Sequence, residues 1–87
     1  MSLGRTYHAL SDPNRLKILE ILKKKDEAVQ DILKHLTITG ASLSHHLAVL
    51  KSADLVSSRR DGQQIIYTLN LSVFEMLMKE LTKFLKK

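Results

Sequence analysis

Cysteine is absent from this 87-residue chain, proline occurs once and glycine only three times. Each scarcity excludes something. Without cysteine there is neither a disulfide framework nor a thiolate metal site. Three isolated glycines cannot make the Gly-rich loop that cradles phosphates. No apolar run approaches the roughly 20 residues of a membrane-spanning helix. The opening Leu3-Gly4-Arg5 also lacks a secretory pattern. There is no linker, low-complexity tract or internal repeat, and no nucleophile–base pattern or carboxylate cluster marks an enzyme. These exclusions predict one cytoplasmic, non-catalytic domain over residues 1–87, with no cofactor.

What is present points to a polyanionic partner and to self-association. Lys and Arg number 14 against 9 Asp and Glu, a formal net charge of +5. A domain this small buries only roughly 60–65% of the surface exposed by its unfolded chain, so dimerisation is the remaining way to gain buried area.

Leu3, Tyr7 and Leu10 fall at helical spacing and predict a short helix over 3–10. Asp12-Pro13 then reads as a helix start, with Asp12 capping backbone N–H groups and Pro13 at the first helical position. Leu16, Ile18, Leu19, Ile21 and Leu22 are expected to bury one broad face. Lys23-Lys24-Lys25 closes that helix where positive charge complements its dipole, and reads as a solvated end. Val29, Ile32, Leu33 and Leu36 predict a two-turn helix, and Leu36-Thr37-Ile38 a connection. Thr39 is the expected cap of a further helix whose Leu43, Leu47 and Leu50 share a face. Asp54 stands where a helix-terminating glycine is usual, a left-handed position that Asp tolerates.

After Leu55 the period changes to two. Ile65, Tyr67 and Leu69 alternate with Gln64, Ile66 and Thr68, as in a strand with one face on a core. Arg59-Arg60-Asp61-Gly62 is expected to supply the turn from a strand near 55–59. Residues 71–86 complete the chain as a helix with Val73, Phe74, Leu77, Met78, Leu81, Phe84 and Leu85 apolar. The predicted fold is mostly α with a small β-hairpin (α+β), a winged helix-turn-helix in the order ααααββα.

In such a fold a helix with small polar side chains in its first turns enters the DNA major groove. Ala41, Ser42, Ser44, His45 and Ala48 lie away from Leu43, Leu47 and Leu50. Serine exchanges hydrogen bonds with base edges, and an alanine methyl suits thymine. A Ser/His-rich helix face can equally be only solvated, but two arginines on the neighbouring ribbon add charge that packing does not need. Contacts of that kind give affinity and orientation while the helix gives sequence choice. His46 suits either a DNA contact or packing beside the helix-turn-helix. Lys51 suits either a phosphate contact or an ordinary solvated lysine. The expected DNA-contacting set is Thr39, Ala41, Ser42, Ser44, His45, His46, Lys51, Arg59, Arg60 and Gln63.

Ala9-Leu10-Ser11-Asp12-Pro13-Asn14-Arg15-Leu16, Ser44-His45-His46-Leu47 and Arg59-Arg60-Asp61-Gly62 with Tyr67 follow one another at separations that resemble the ArsR/SmtB family of repressors. The likeness covers residues 7 to about 70. It implies a winged-helix repressor of double-stranded DNA, a homodimer joined through its first and last helices. The wide apolar stripe of 71–86 agrees independently with that contact. The dimer residues so expected are Leu3, Tyr7, Phe74, Leu77, Met78, Leu81 and Leu85.

Three departures bear on function. The family's arsenic and lead sensors carry cysteines where this chain has Val29-Gln30-Asp31-Ile32-Leu33. Its zinc and nickel sensors carry His and acidic ligands on the final helix, where this chain has Glu75 and Glu80 but no His. Gly40-Ala41 and Gln63 replace a frequent Gln-Ser and Arg, so an operator sequence cannot be borrowed. His8, His35, His45 and His46 show no ligand spacing, and adjacent His45 and His46 point about 100° apart on a helix. No metal site is expected. An inducer or regulatory protein partner is not named by the sequence. A protein-docking winged helix is the rival reading, and it calls for an apolar patch where Ser and His stand.

Overall fold

The computed structural model describes residues 3–86, without the side chain of Leu3. Its elements are α1 (Leu3–Ala9), α2 (Pro13–Lys24), β1 (Glu27–Ala28), α3 (Val29–Lys34), α4 (Gly40–Ser52), β2 (Val56–Asp61), β3 (Gln64–Leu69) and α5 (Leu71–Leu85). The α+β winged-helix class is as expected, but the order is ααβααββα. The added strand β1 pairs antiparallel with β3, Glu27 opposite Tyr67 and Ala28 opposite Ile66, giving a three-stranded sheet ordered β1-β3-β2. Two residues are too few to show a period of two. Only the partner strand makes them a strand.

Local chemistry starts and stops the elements. The Asp12 carboxylate accepts from the backbone N–H of Asn14 at 2.8 Å and of Arg15 at 3.4 Å, and Pro13 occupies the first helical turn. The Thr39 hydroxyl accepts from the Ser42 N–H at 3.1 Å. Asp54 carries the chain out of α4 at φ 61°, in the left-handed region. Asn70 then fixes the base of the ribbon. Its side-chain amide donates to the Asp54 carbonyl at 2.8 Å, and its backbone N–H donates to the Leu55 carbonyl at 2.9 Å.

The core joins Ile18, Leu19 and Leu22 of α2, Ile32 of α3, Leu43, Leu47 and Leu50 of α4, Leu55, Val56 and Leu77. Two expectations are corrected here, for Leu16 and for Leu77. Leu16 is 48% exposed while Arg15 is 5% exposed, because positions 15, 18, 19 and 22 make the inward stripe and Arg15 finds polar partners there. On α1, Thr6 and Ala9 turn inward and Tyr7 lies 45% exposed. On α5, Leu77 is only 2% exposed and belongs to the protomer's own core, so it is not available for a dimer contact. The expected dimer contact of the Leu3 side chain falls outside the described residues. Val73, Phe74, Met78 and Leu81 are half-buried against the core, and Phe84 and Leu85 stand 72% and 77% exposed.

Candidate nucleic-acid interface

The fold turns two faces of α4 to different uses. Leu43, His46, Leu47 and Leu50 are buried, whereas Ala41, Ser44, His45, Ala48 and Lys51 are exposed. Thr39 and Gly40 are exposed at its start, and Ser42 is half-buried. No side chain longer than the His45 imidazole stands on the first two turns of the exposed face. A groove edge can therefore come close to the backbone there.

His46 is not on that face, which corrects its inclusion among the DNA contacts. It is 7% exposed, with Nδ1 3.0 Å from the Arg15 Nη1 and Nε2 3.9 Å from the Asp12 Oδ1. Burial works to raise the Asp12 carboxyl. The N–H groups of Asn14 and Arg15, with the electrostatic pull of the neighbouring His46 and Arg15 side chains, outweigh it and hold the group below the ordinary carboxylate range.

The ribbon differs from expectation in length and in its arginines. Strand β2 runs through Arg59, Arg60 and Asp61, so the turn is Gly62-Gln63, with Gly62 at φ 65° as a two-residue hairpin with glycine first requires. Arg59 stands opposite Ile66 and Arg60 opposite Ile65. Neighbours along a strand point to opposite faces, so the two guanidiniums diverge. The face of Ser58 and Arg60 is tied to α4, where Lys51 Nζ donates to the Ser58 Oγ at 2.8 Å. Lys51 thus braces the ribbon against the helix. The face of Arg59 meets Asp26, whose Oδ2 accepts from Nη1 at 3.1 Å. Thr68 donates to the other oxygen of the same carboxylate. That hydrogen bond, then the one from Arg59, lowers the Asp26 carboxyl from its ordinary value. Among the described residues Arg60 makes a long 3.5 Å contact with the Gly62 carbonyl and no ion pair, so its charge is the freer of the two.

Between α4 and the ribbon lies an open crevice of about 320 Å³, lined by Ser44 and Leu47, by Gln63, Gln64, Ile65 and Tyr67, and by Ala28, Val29 and Gln30. The tertiary structure thus brings Ser44 and Gln63 to one surface and adds Gln30 and Gln64, which the sequence reading did not select. Gln64 had a signal in its neighbour Gln63. Gln30 had none, since its place beside α4 depends on how α3 packs. Asp26 was also missed, because only the fold brings it across to Arg59. Among the described residues, no three or more His, Cys, Asp or Glu side chains converge on a metal-sized site. No described helix is long and apolar enough to cross a membrane.

Residues 12–58 match the model of the bacterial regulatory proteins of the arsR family. The chain belongs to the ArsR family. It is 40% identical to the transcriptional repressor SdpR of Bacillus subtilis over 98% of its own length and 94% of that protein's. It is 35% identical to the arsenical resistance operon repressor of Staphylococcus xylosus, over 91% of this chain and 76% of that one. The crystal structure of NolR from Sinorhizobium fredii superposes with a TM-score of 0.76 at 34% identity, covering 93% of this chain and 81% of the other. This ArsR-family protein is a DNA-binding transcriptional regulator, and neither its family nor these relatives are enzymes.

Proposed function

We propose that this ArsR-family protein is a homodimeric repressor that reads an inverted-repeat operator with α4 and holds the flanking phosphates with the ribbon. The observation that carries this reading is the exposed face of α4. Its small Ala41, Ser42 and Ser44 and its His45 stand on a capped helix braced through Lys51 to a ribbon bearing the exposed Arg60. Ser44 and His45 reach base edges, with Thr39, Ala41 and Ser42 beside them. Arg60 gives phosphate affinity, joined by Gln63 at the turn and by Arg59 when it leaves Asp26. The relatives named as transcriptional repressors support the direction of control.

The dimer contact in this reading is the outer half of α5 with Tyr7 of α1. Phe74, Met78 and Leu81 continue into Phe84 and Leu85, where the stripe leaves its own core and faces solvent. Phe84 joins the contact set and Leu77 leaves it. The protein acts in the cytoplasm, where the chromosome is accessible. Selection of duplexes from a random library, followed by hydroxyl-radical footprinting on the preferred duplex, tests the whole reading. Two protected half-sites centred about 10–10.5 bp apart, or a multiple of that, are expected. A single unsymmetrical footprint would overturn the two-fold arrangement.

A further inference from the structure

The crevice between α4 and the ribbon is lined entirely by uncharged residues. Val29 and Gln30 of α3, Ser44 and Leu47 of α4, and Ile65 and Tyr67 of β3 meet there. Leu47 is buried, Val29 and Tyr67 are half-buried, and Gln30, Ser44 and Ile65 are exposed. Ile65 is 40% exposed, an isoleucine that the protein itself leaves uncovered. It stands directly opposite Arg60 in the ribbon, so the two share the face turned to α4. The two grooves of a duplex are divided by a single sugar–phosphate strand. A helix seated in the major groove and a ribbon on the flanking phosphates therefore have that strand between them. In this protein the space between those two elements is the crevice.

We propose that this crevice seats one sugar–phosphate strand of the operator, with the Gln30 amide donating to a phosphate oxygen and Ile65 packing against a deoxyribose. The proposal rests on the reading above that α4 enters the major groove. A nucleic-acid strand offers apolar sugar faces and hydrogen-bond acceptors in alternation. An exposed isoleucine near an exposed amide matches that alternation, and Arg60 beside Ile65 meets a phosphate of the same strand. Glutamine is an ordinary donor to phosphate and sugar, and such contacts fix register without carrying sequence information. Its amide has no charge, so it holds the strand without the counterion release that an arginine contact brings. Gln30 thus adds affinity and orientation from α3, and sequence choice stays with α4. A free small anion has no cation to meet in an uncharged crevice, whereas a strand is already brought there by α4 and Arg60.

The test compares wild type with Gln30→Ala, Ile65→Thr and Arg60→Ala on a labelled duplex selected by wild type and on random DNA. Anisotropy titrations are run at several salt concentrations, with circular dichroism confirming that each variant is folded. Gln30→Ala should weaken binding to both duplexes about tenfold, the scale of one hydrogen bond to a charged acceptor. Its slope of log K against log salt should stay at the wild-type value, whereas Arg60→Ala should flatten it. Ile65→Thr should cost about fourfold, the scale of one methylene group left uncovered. Single methylphosphonates stepped along the selected duplex then locate the strand. At one phosphate between the α4 and ribbon footprints, the substitution should weaken wild type about tenfold more than Gln30→Ala, which has already lost that contact. Wild-type affinity in both Gln30→Ala and Ile65→Thr overturns the proposal, and is the result expected of a crevice that takes a small apolar ligand instead. So does a Gln30→Ala protein that responds to every methylphosphonate as wild type does. Selection that yields no preferred duplex overturns base reading by α4 and the strand path together. A preferred duplex that the variants bind as wild type does overturns the strand path alone.

Discussion

Helices α4 and α5 are similar in length, 13 and 15 residues, and opposite in what they leave to solvent. Helix α4 buries Leu43, Leu47 and Leu50 and exposes small polar groups. Helix α5 buries only Leu77 fully and leaves Leu71, Met76, Phe84 and Leu85 more than half exposed. A helix whose large apolar residues are taken up by its own core offers its surface to a polar partner. One with apolar side chains to spare needs another protein surface, since burying a Leu or Phe is favourable by about 1.5–3 kcal/mol. In the proposed reading the two faces take two partners, DNA for α4 and a second copy for α5.

The largest effect should come from turning the surplus on α5 into charge. In Phe84→Asp with Leu85→Asp, two side chains per protomer lose their burial, so dimer association should weaken by at least about 100-fold. Sedimentation velocity should then show a folded monomer with poor affinity for an inverted repeat. A dimer that persists would make the apolar end of α5 an ordinary surface. Leu77→Asp is no substitute, because it places a carboxylate in the protomer core.

On α4, Ser44→Ala with His45→Ala should cost about 1–3 kcal/mol for each base pair whose readout fails. Competition between selected and random duplexes at matched salt measures this, and weak binding to random DNA should survive. Full selectivity in the double variant would make these residues scaffold and move the reading elsewhere.

The ribbon should show a smaller and asymmetric effect. Arg60→Ala should reduce the slope of log K against log salt by about 0.9 for one lost phosphate contact. Arg59→Ala should change it less, because Asp26 already engages that guanidinium. Asp26→Asn should release Arg59 and raise affinity for all duplexes alike. Equal slopes for the two arginine variants would show that the ion pair opens freely on DNA.

The smallest effect concerns acid. Asp12 and Asp26 both titrate below their ordinary value in the folded protein. Their stabilisation is thus present above the unfolded carboxylate pKa, about 3.9, and is lost as pH falls through the folded value. The share of the melting temperature that these two carboxylates supply should be flat from pH 7 to 5 and fall below about pH 4. Asp12→Asn keeps the helix cap but loses the charge. Its melting curve should depend less on pH in that acid range, and an unchanged acid slope would remove Asp12 from the account.

Signals confined to a few neighbouring residues were legible in the sequence. The caps at Asp12 and Thr39, the left-handed Asp54, the wing glycine and the polar face of α4 each depend on local backbone geometry or helical spacing. The family likeness rests on the same kind of local, ordered motif. What the sequence could not determine was which member of an amphipathic set wins the interior. Arg15 displaced Leu16 and His46 turned inward because each found hydrogen-bond partners on another element. Leu77 separated from Phe84 because the core reaches only partway along α5. Strand β1 and the ion pair of Arg59 likewise exist only through residues distant in sequence, Tyr67 and Asp26. Periodicity states that a face is apolar, but burial and charge pairing depend on what the fold sets opposite that face, and only the tertiary structure decided that.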